Sequence, residues 1–155
     1  MELSRNLKVD SVSRLNPTPP REIEAHRPVS DAIEVMRRDS VGCLLVTESG
    51  RLVGIFTERD LLTRVLAVGK ILSVPLQDVM TRDPVTVQPK DSIRTAVKRM
   101  QNGGYRHLPV VDDRDRPSGI LSAKRIVRYL VEHFPETVYN QPPNPNTAPD
   151  SPEGA

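Results

Sequence analysis

The chain has 155 residues and sets 22 Lys plus Arg against 20 Asp plus Glu, a formal net charge of +2. That balance excludes a bulk polyanion binder, and two Phe, three Tyr and no Trp leave few stacking platforms for single-stranded nucleic acid. The single cysteine, Cys43, excludes an intrachain disulfide framework, and no apolar run approaches the length of a membrane span.

The first residues, MELSRNLKVD, contain no apolar stretch of the signal-peptide kind, so a soluble cytoplasmic protein is expected. Residues 1–12 read as an N-terminal extension in which Leu3, Leu7, Val9 and Val12 could pack as one added turn or strand. REIEA (21–25) reads as a short lead-in strand. Val29, Ala32, Ile33 and Met36 then recur at the i, i+3, i+4, i+7 spacing of an amphipathic helix. GCLLV (42–46) and LVGIF (52–56) flank a turn and predict a hairpin, and Leu61, Leu62, Val65 and Leu66 predict a second helix. A linker follows near Gly69 to Gln77.

The same order then returns. PVTVQP (84–89) is a second lead-in strand, and Ile93, Ala96, Val97 and Met100 repeat the first helix 64 residues later. HLPVV (107–111), the turn DDRDRP (112–117) and SGIL (118–121) repeat the hairpin. Ile126, Val127, Leu130 and Val131 repeat the second helix at an offset of 65, one residue having entered the second turn. Each half reads β-α-β-β-α, an α+β fold in which two half-domains, 13–72 and 73–134, face each other through their sheets with pseudo-twofold symmetry. Neither half is large enough to stand comfortably alone. Residues 135–155 hold five of the fifteen prolines between Pro142 and Pro152 and read as a solvated, Pro-rich tail.

The chemistry concentrates where the second strand of each half meets its helix, at GIFTERD (54–60) and GILSAKR (119–125). Thr57 with Asp60 three residues on reads first as a capping box. A helix N-terminus also offers free N–H groups and the positive end of a dipole, and a carboxylate there can accept both hydroxyls of a ribose. The two roles are compatible. No metal-ligand spacing surrounds His26 or His133, DDRDR lacks the pattern of a calcium loop, and Cys43 reads as a small buried hydrophobe. No phosphate loop, nucleophile elbow or zinc-protease motif occurs.

The doubled β-α-β-β-α unit, GIFTERDLL, GILSAKRIV, YRHLPVVDD and VMTRDPVTVQP together resemble a tandem pair of CBS domains, the Bateman module, over roughly residues 9–134. The resemblance implies a non-enzymatic sensor for an adenosine-type ligand: AMP, ADP or ATP first, with S-adenosylmethionine or NAD possible. Thr57 and Asp60 match the family's hydroxyl-x-x-Asp pattern for gripping the ribose. Arg106, His107 and Lys124 would surround its phosphate, by similarity to the nucleotide-sensing gamma subunit of AMP-activated protein kinase. Ile55, Pro84, Val85, Tyr105 and Pro109 would form the adenine slot, with backbone groups near Thr86 reading the base edge. The second copy departs from the pattern: Ser122 keeps the hydroxyl, but Arg125 stands where Asp60 would recur and offers no acceptor. That cleft is expected to be empty or to hold a ligand by its phosphates. The resemblance also implies a homodimer through the helices and an unidentified regulated partner. A ligand-independent dimerisation scaffold is the competing reading, and nucleic-acid binding rests only on the arginine count.

Overall fold

A computed structural model describes residues 10–133; Leu3, Leu7, Val9 and the Pro-rich segment lie outside them. The described chain opens with a 3-10 turn, Val12–Leu15, whose Val12 and Leu15 are buried. The first unit follows as β1 (Glu22–Glu24), α1 (Val29–Asp39), β2 (Cys43–Glu48), β3 (Arg51–Thr57) and α2. Helix α2 begins as one α-turn, Glu58–Asp60, and continues as π-helical turns over Leu61–Leu66. A second 3-10 turn, Leu76–Asp78, leads to β4 (Thr81–Arg82), α3 (Ile93–Gly103), β5 (His107–Val111), β6 (Pro117–Ser122) and α4 (Ala123–His133).

The repeat is physical as well as textual. Helices α1 and α3 both end on a left-handed residue, Ser40 at φ 53° and Gly104 at φ 67°. The next N–H groups, of Val41 and Tyr105, return to the carbonyls of Met36 and Met100 at 3.1 and 3.0 Å. Both are Schellman closures that satisfy otherwise orphaned carbonyls. The two 3-10 turns also correspond, since Val12 and Leu15 recur as Leu76 and Val79, and all four are buried. The linker expected over Gly69 to Gln77 is therefore shorter than its composition suggests, because Leu76 already belongs to the core of the first unit.

Strand pairing ties the halves together. In the first sheet β1 runs parallel to β2, β2 antiparallel to β3, and β3 antiparallel to β4. In the second unit β5 and β6 form the hairpin. Val87 bridges Val110 in parallel, and Thr18 bridges Ile120 in antiparallel sense. Each hairpin thus takes its last partner from the segment leading into the other unit: Thr81 beside Ile55, and Thr18 beside Ile120. PVTVQP does not form the continuous strand expected of it. Only Val87 pairs, giving its N–H to Pro109 and receiving that of Val111, at 3.0 and 2.9 Å. Pro84 and Pro89 have no N–H to contribute.

Two cores result. One gathers Val29, Ala32, Met36, Leu44, Phe56 and Val65. The other gathers Ile93, Ala96, Met100, Leu108, Leu121 and Ile126, together with Val12 and Leu15 from the chain start. Between them lies a small interface of Cys43, Leu45 and Ile120, with Leu52 and Ile55 packed against it. The α+β fold with two sheets facing across a shared apolar seam is as the periodicity predicts.

Candidate functional site

The β3–α2 corner is built by a reciprocal cap. Thr57 is extended (φ −117°, ψ 169°), and its hydroxyl accepts the N–H of Asp60 at 3.2 Å. In return Asp60 Oδ2 accepts the Thr57 N–H at 3.0 Å and the Thr57 hydroxyl at 3.1 Å. This box satisfies donors that the helix start leaves open. It also holds a carboxylate inside the protein, since Asp60 is only 7% exposed.

Two further residues reach the other carboxylate oxygen. Thr81 donates its hydroxyl to Asp60 Oδ1 at 3.0 Å, and Arg64 Nε lies 3.4 Å from the same atom. Arg64 Nη1 also donates to the Met80 carbonyl at 3.0 Å. No motif in the sequence marks Arg64 or Thr81 for a role. The available signal was the i, i+4 spacing of Asp60 and Arg64 on one helix face. Nothing local could place Thr81, which is brought in by the pairing of β4 with β3.

The expected adenine slot is partly assembled by a crossing. The Asp83 N–H reaches Val53 of β3 at 3.2 Å, while the Val87 N–H reaches Pro109 of β5 at 3.0 Å. Pro84, Val85 and Thr86 therefore pass from one sheet to the other, close to Pro109 and to the β3–β4 edge that carries Ile55. The Thr86 carbonyl is engaged by Arg99 Nη1 at 2.6 Å. Tyr105 is turned towards its own helix: its ring covers Gly103 so closely that a Cβ there would lie 2.0 Å from a ring carbon.

Arg106, His107 and Lys124 are brought together where β5 begins and α4 starts. The Ala123 N–H bonds the Arg106 carbonyl at 2.9 Å, and His107 pairs with Ser122. Partial burial of the ring, then the Arg106 and Lys124 charges, hold the His107 pKa below the ordinary imidazole value. The residue stays open to solvent on one side, so an anion approaching this group meets two fixed cations and one that protonates on demand. In the first unit the matching position is Cys43, paired with Thr57. Burial, and secondarily the nearby Asp60 charge, push its thiol up to about 12. It is an inert, neutral side chain at ordinary pH.

The second corner keeps the cap and loses the carboxylate. The Arg125 N–H bonds Ser122 Oγ at 3.2 Å, as Asp60 bonds Thr57, and Arg125 is half-buried. Among the described residues no group of three or more His, Cys, Asp and Glu is placed to hold a metal, and no helix is long and apolar enough to cross a membrane. A depression of about 450 Å³ opens between α1 and α2, and none of the sequence-predicted site residues lines it.

Comparison with known proteins agrees with this geometry. The CBS-domain family profile matches twice, over residues 12–67 and 76–132. The Methanopyrus kandleri protein MK0525 is 33% identical over 140 residues, which is 85% of this chain and 68% of that one. Among solved structures, the CBS domain protein PAE2072 from Pyrobaculum aerophilum, complexed with AMP, superposes with a TM-score of 0.72 at 23% identity. That match covers 82% of this chain and 99% of the other. The CBS domain pair of protein MJ0100, in complex with 5′-methylthioadenosine and S-adenosyl-L-methionine, gives 0.70 at 24% identity, covering 78% and 99%. With two family matches laid on two units that share caps, hairpins and exchanged sheet edges, the chain belongs to the CBS-domain family as a tandem pair.

Proposed function

We propose that this protein is a non-enzymatic regulatory module that binds an adenosine-type ligand at one principal cleft and signals occupancy to a partner protein. The observation that carries the reading is the buried Asp60 carboxylate, held by Thr57 at a helix start in one unit only. Asp60 and Thr57 take the ribose hydroxyls. Ile55, Pro84, Val85, Tyr105 and Pro109 enclose the base, with Thr86 backbone at its edge. Arg106, His107 and Lys124 receive the phosphate, which favours a phosphate-bearing ligand, AMP, ADP or ATP first, over S-adenosylmethionine. The existence of this fold in complexes with AMP and with S-adenosyl-L-methionine supports the ligand class. The cleft of Ser122 and Arg125 lacks a ribose acceptor and stays vacant or weak. Binding favours whichever arrangement of the two units contacts the ligand better, a population shift rather than catalysis.

The test is calorimetric titration with AMP, ADP, ATP, NAD and S-adenosylmethionine, repeated on Asp60→Ala. One equivalent per chain, lost on substitution, is the expected result; silence from all five ligands removes the sensor reading. Exposed apolar pairs on the second helices, Leu62 with Leu66 and Val127 with Val131, support a homodimer through those faces. Sedimentation of Leu62→Glu/Leu66→Glu should then give a monomer mass, and an unchanged mass sinks that interface. The scaffold reading gains from the same pairs and from the full set of partners around Asp60. The titration separates it from the sensor.

A further inference from the structure

We propose that Arg64 and Thr81 form a latch on Asp60, which the ribose of an adenosine-type ligand must open in order to bind. The inference rests on the reading of Asp60 as ribose acceptor and adds what competes for it. A carboxylate offers about four acceptor positions. The Thr57 N–H and hydroxyl occupy Oδ2 and belong to the cap, so they hold the side chain in place whatever else approaches. Oδ1 is the oxygen that faces outward partners, and Thr81 and Arg64 both reach it. A ribose hydroxyl donating to Oδ1 competes with those two groups.

The latch is built to open. The Asp60 side chain is 9% accessible and that of Arg64 is 50% accessible, so the guanidinium can swing to water while the carboxylate stays fixed. An arginine that is half-exposed and 3.4 Å from its carboxylate is held weakly enough for a ligand to displace. Its second arm gives the device reach. Arg64 Nη1 holds the Met80 carbonyl, the residue before β4, and Asp83 to Val87 then cross to the second sheet. Releasing Arg64 from Asp60 therefore loosens a point on the path between the two units.

The second unit serves as an internal control. Arg125 and Tyr129 stand where Asp60 and Arg64 would recur at the 65-residue offset, so carboxylate and guanidinium partner are replaced together. Thr18, which pairs with Ile120 as Thr81 pairs with Ile55, turns its hydroxyl to the Ile120 carbonyl at 3.3 Å. The corner folds and caps without the pair. Arg64 is thus not needed for the cap itself.

The test titrates neutral adenosine, which offers Arg64 no phosphate to contact, alongside AMP, into the wild type, Arg64→Met, Thr81→Val and Asp60→Asn. Adenosine should bind Arg64→Met and Thr81→Val about two- to fivefold more tightly than wild type, the range expected for losing one partly exposed competitor. Salt should tighten adenosine binding to the wild type by screening the competing pair, and leave Arg64→Met unchanged. Binding seen only after Arg64→Met also supports the latch. Equal or weaker adenosine binding by Arg64→Met, with binding still lost in Asp60→Asn, overturns the latch and leaves the sensor reading intact. Failure of both compounds on all four proteins removes latch and sensor together.

Discussion

The strand-to-helix corners at Thr57 and Ser122 have the same backbone cap and opposite chemistry. In both, a hydroxyl accepts the N–H three residues on, at 3.2 Å each. In the first, that third residue is a buried carboxylate met by an arginine and a threonine; in the second it is itself an arginine. Upstream, Cys43 and His107 stand at matching sheet positions, one a neutral thiol and the other an imidazole flanked by two cations. The repeat has kept what the fold needs, namely the cap, the hairpin and the helix stop. The copies diverge at Asp60 against Arg125 and at Cys43 against His107, side chains outside the two main cores.

The largest effect should come from positions where the copies agree. Phe56 and Leu121 are equivalent and fully buried. Phe56→Ala should cost about 3–5 kcal/mol and Leu121→Ala about 2–5 kcal/mol in urea unfolding. Because each sheet takes its last partner from the other half's approach, both variants should shift one common transition. Two transitions, only one of which moves, would show the halves unfolding independently. Next in size, Asp60→Ala should weaken the adenosine-type ligand by about ten- to a hundredfold, the equivalent of losing hydrogen bonds to a charged group. Arg125→Ala should leave affinity within about twofold of wild type. Equal losses at both corners would erase the asymmetry on which the site assignment stands.

The smallest effect is a pH dependence. The folded His107 pKa lies below its unfolded value, so on acidification the unfolded chain takes the proton first. Stability from this group is intact above about pH 6.5, the ordinary imidazole value. It falls as the pH drops below that value and levels off beneath the folded pKa. His107→Gln should therefore show a smaller loss of urea midpoint between neutral and mildly acidic pH than the wild type. Identical losses would mean that neither burial nor the Arg106 and Lys124 charges depress the ring's pKa.

Much of this was legible in one dimension because it is local. The apolar spacing of Val29 to Met36 and of Ile93 to Met100 is a helix face whatever packs on it. Thr57 and Asp60 are three residues apart, so their reciprocal hydrogen bonds follow from helix geometry. The disagreement of Asp60 with Arg125 needed only the alignment of the chain with itself. Other features were not legible. PVTVQP has the composition of a strand, yet it spends Pro84 to Thr86 crossing between sheets and pairs only at Val87. Tyr105 reads as a wall for a base, and the segment itself does not report that the ring lies over Gly103. In both cases the neighbour that decides the conformation is set by packing, and no propensity of the segment reports it.

The doubled β-α-β-β-α plan, the cap at each corner and the loss of the carboxylate from the second copy are all written in the order of residues. These depend on contacts within a few residues or on comparing equivalent positions. Long-range packing alone makes the halves exchange sheet edges, lays 84–86 between them and brings Thr81 and Arg64 to one oxygen of Asp60. Thr81 lies 21 residues from its partner, and a hydrogen bond across that span exists only because β4 is laid against β3. Net charge likewise gave no hint of the cluster at Arg106, His107 and Lys124, because charge is a sum and a cluster is a matter of where folding places its members.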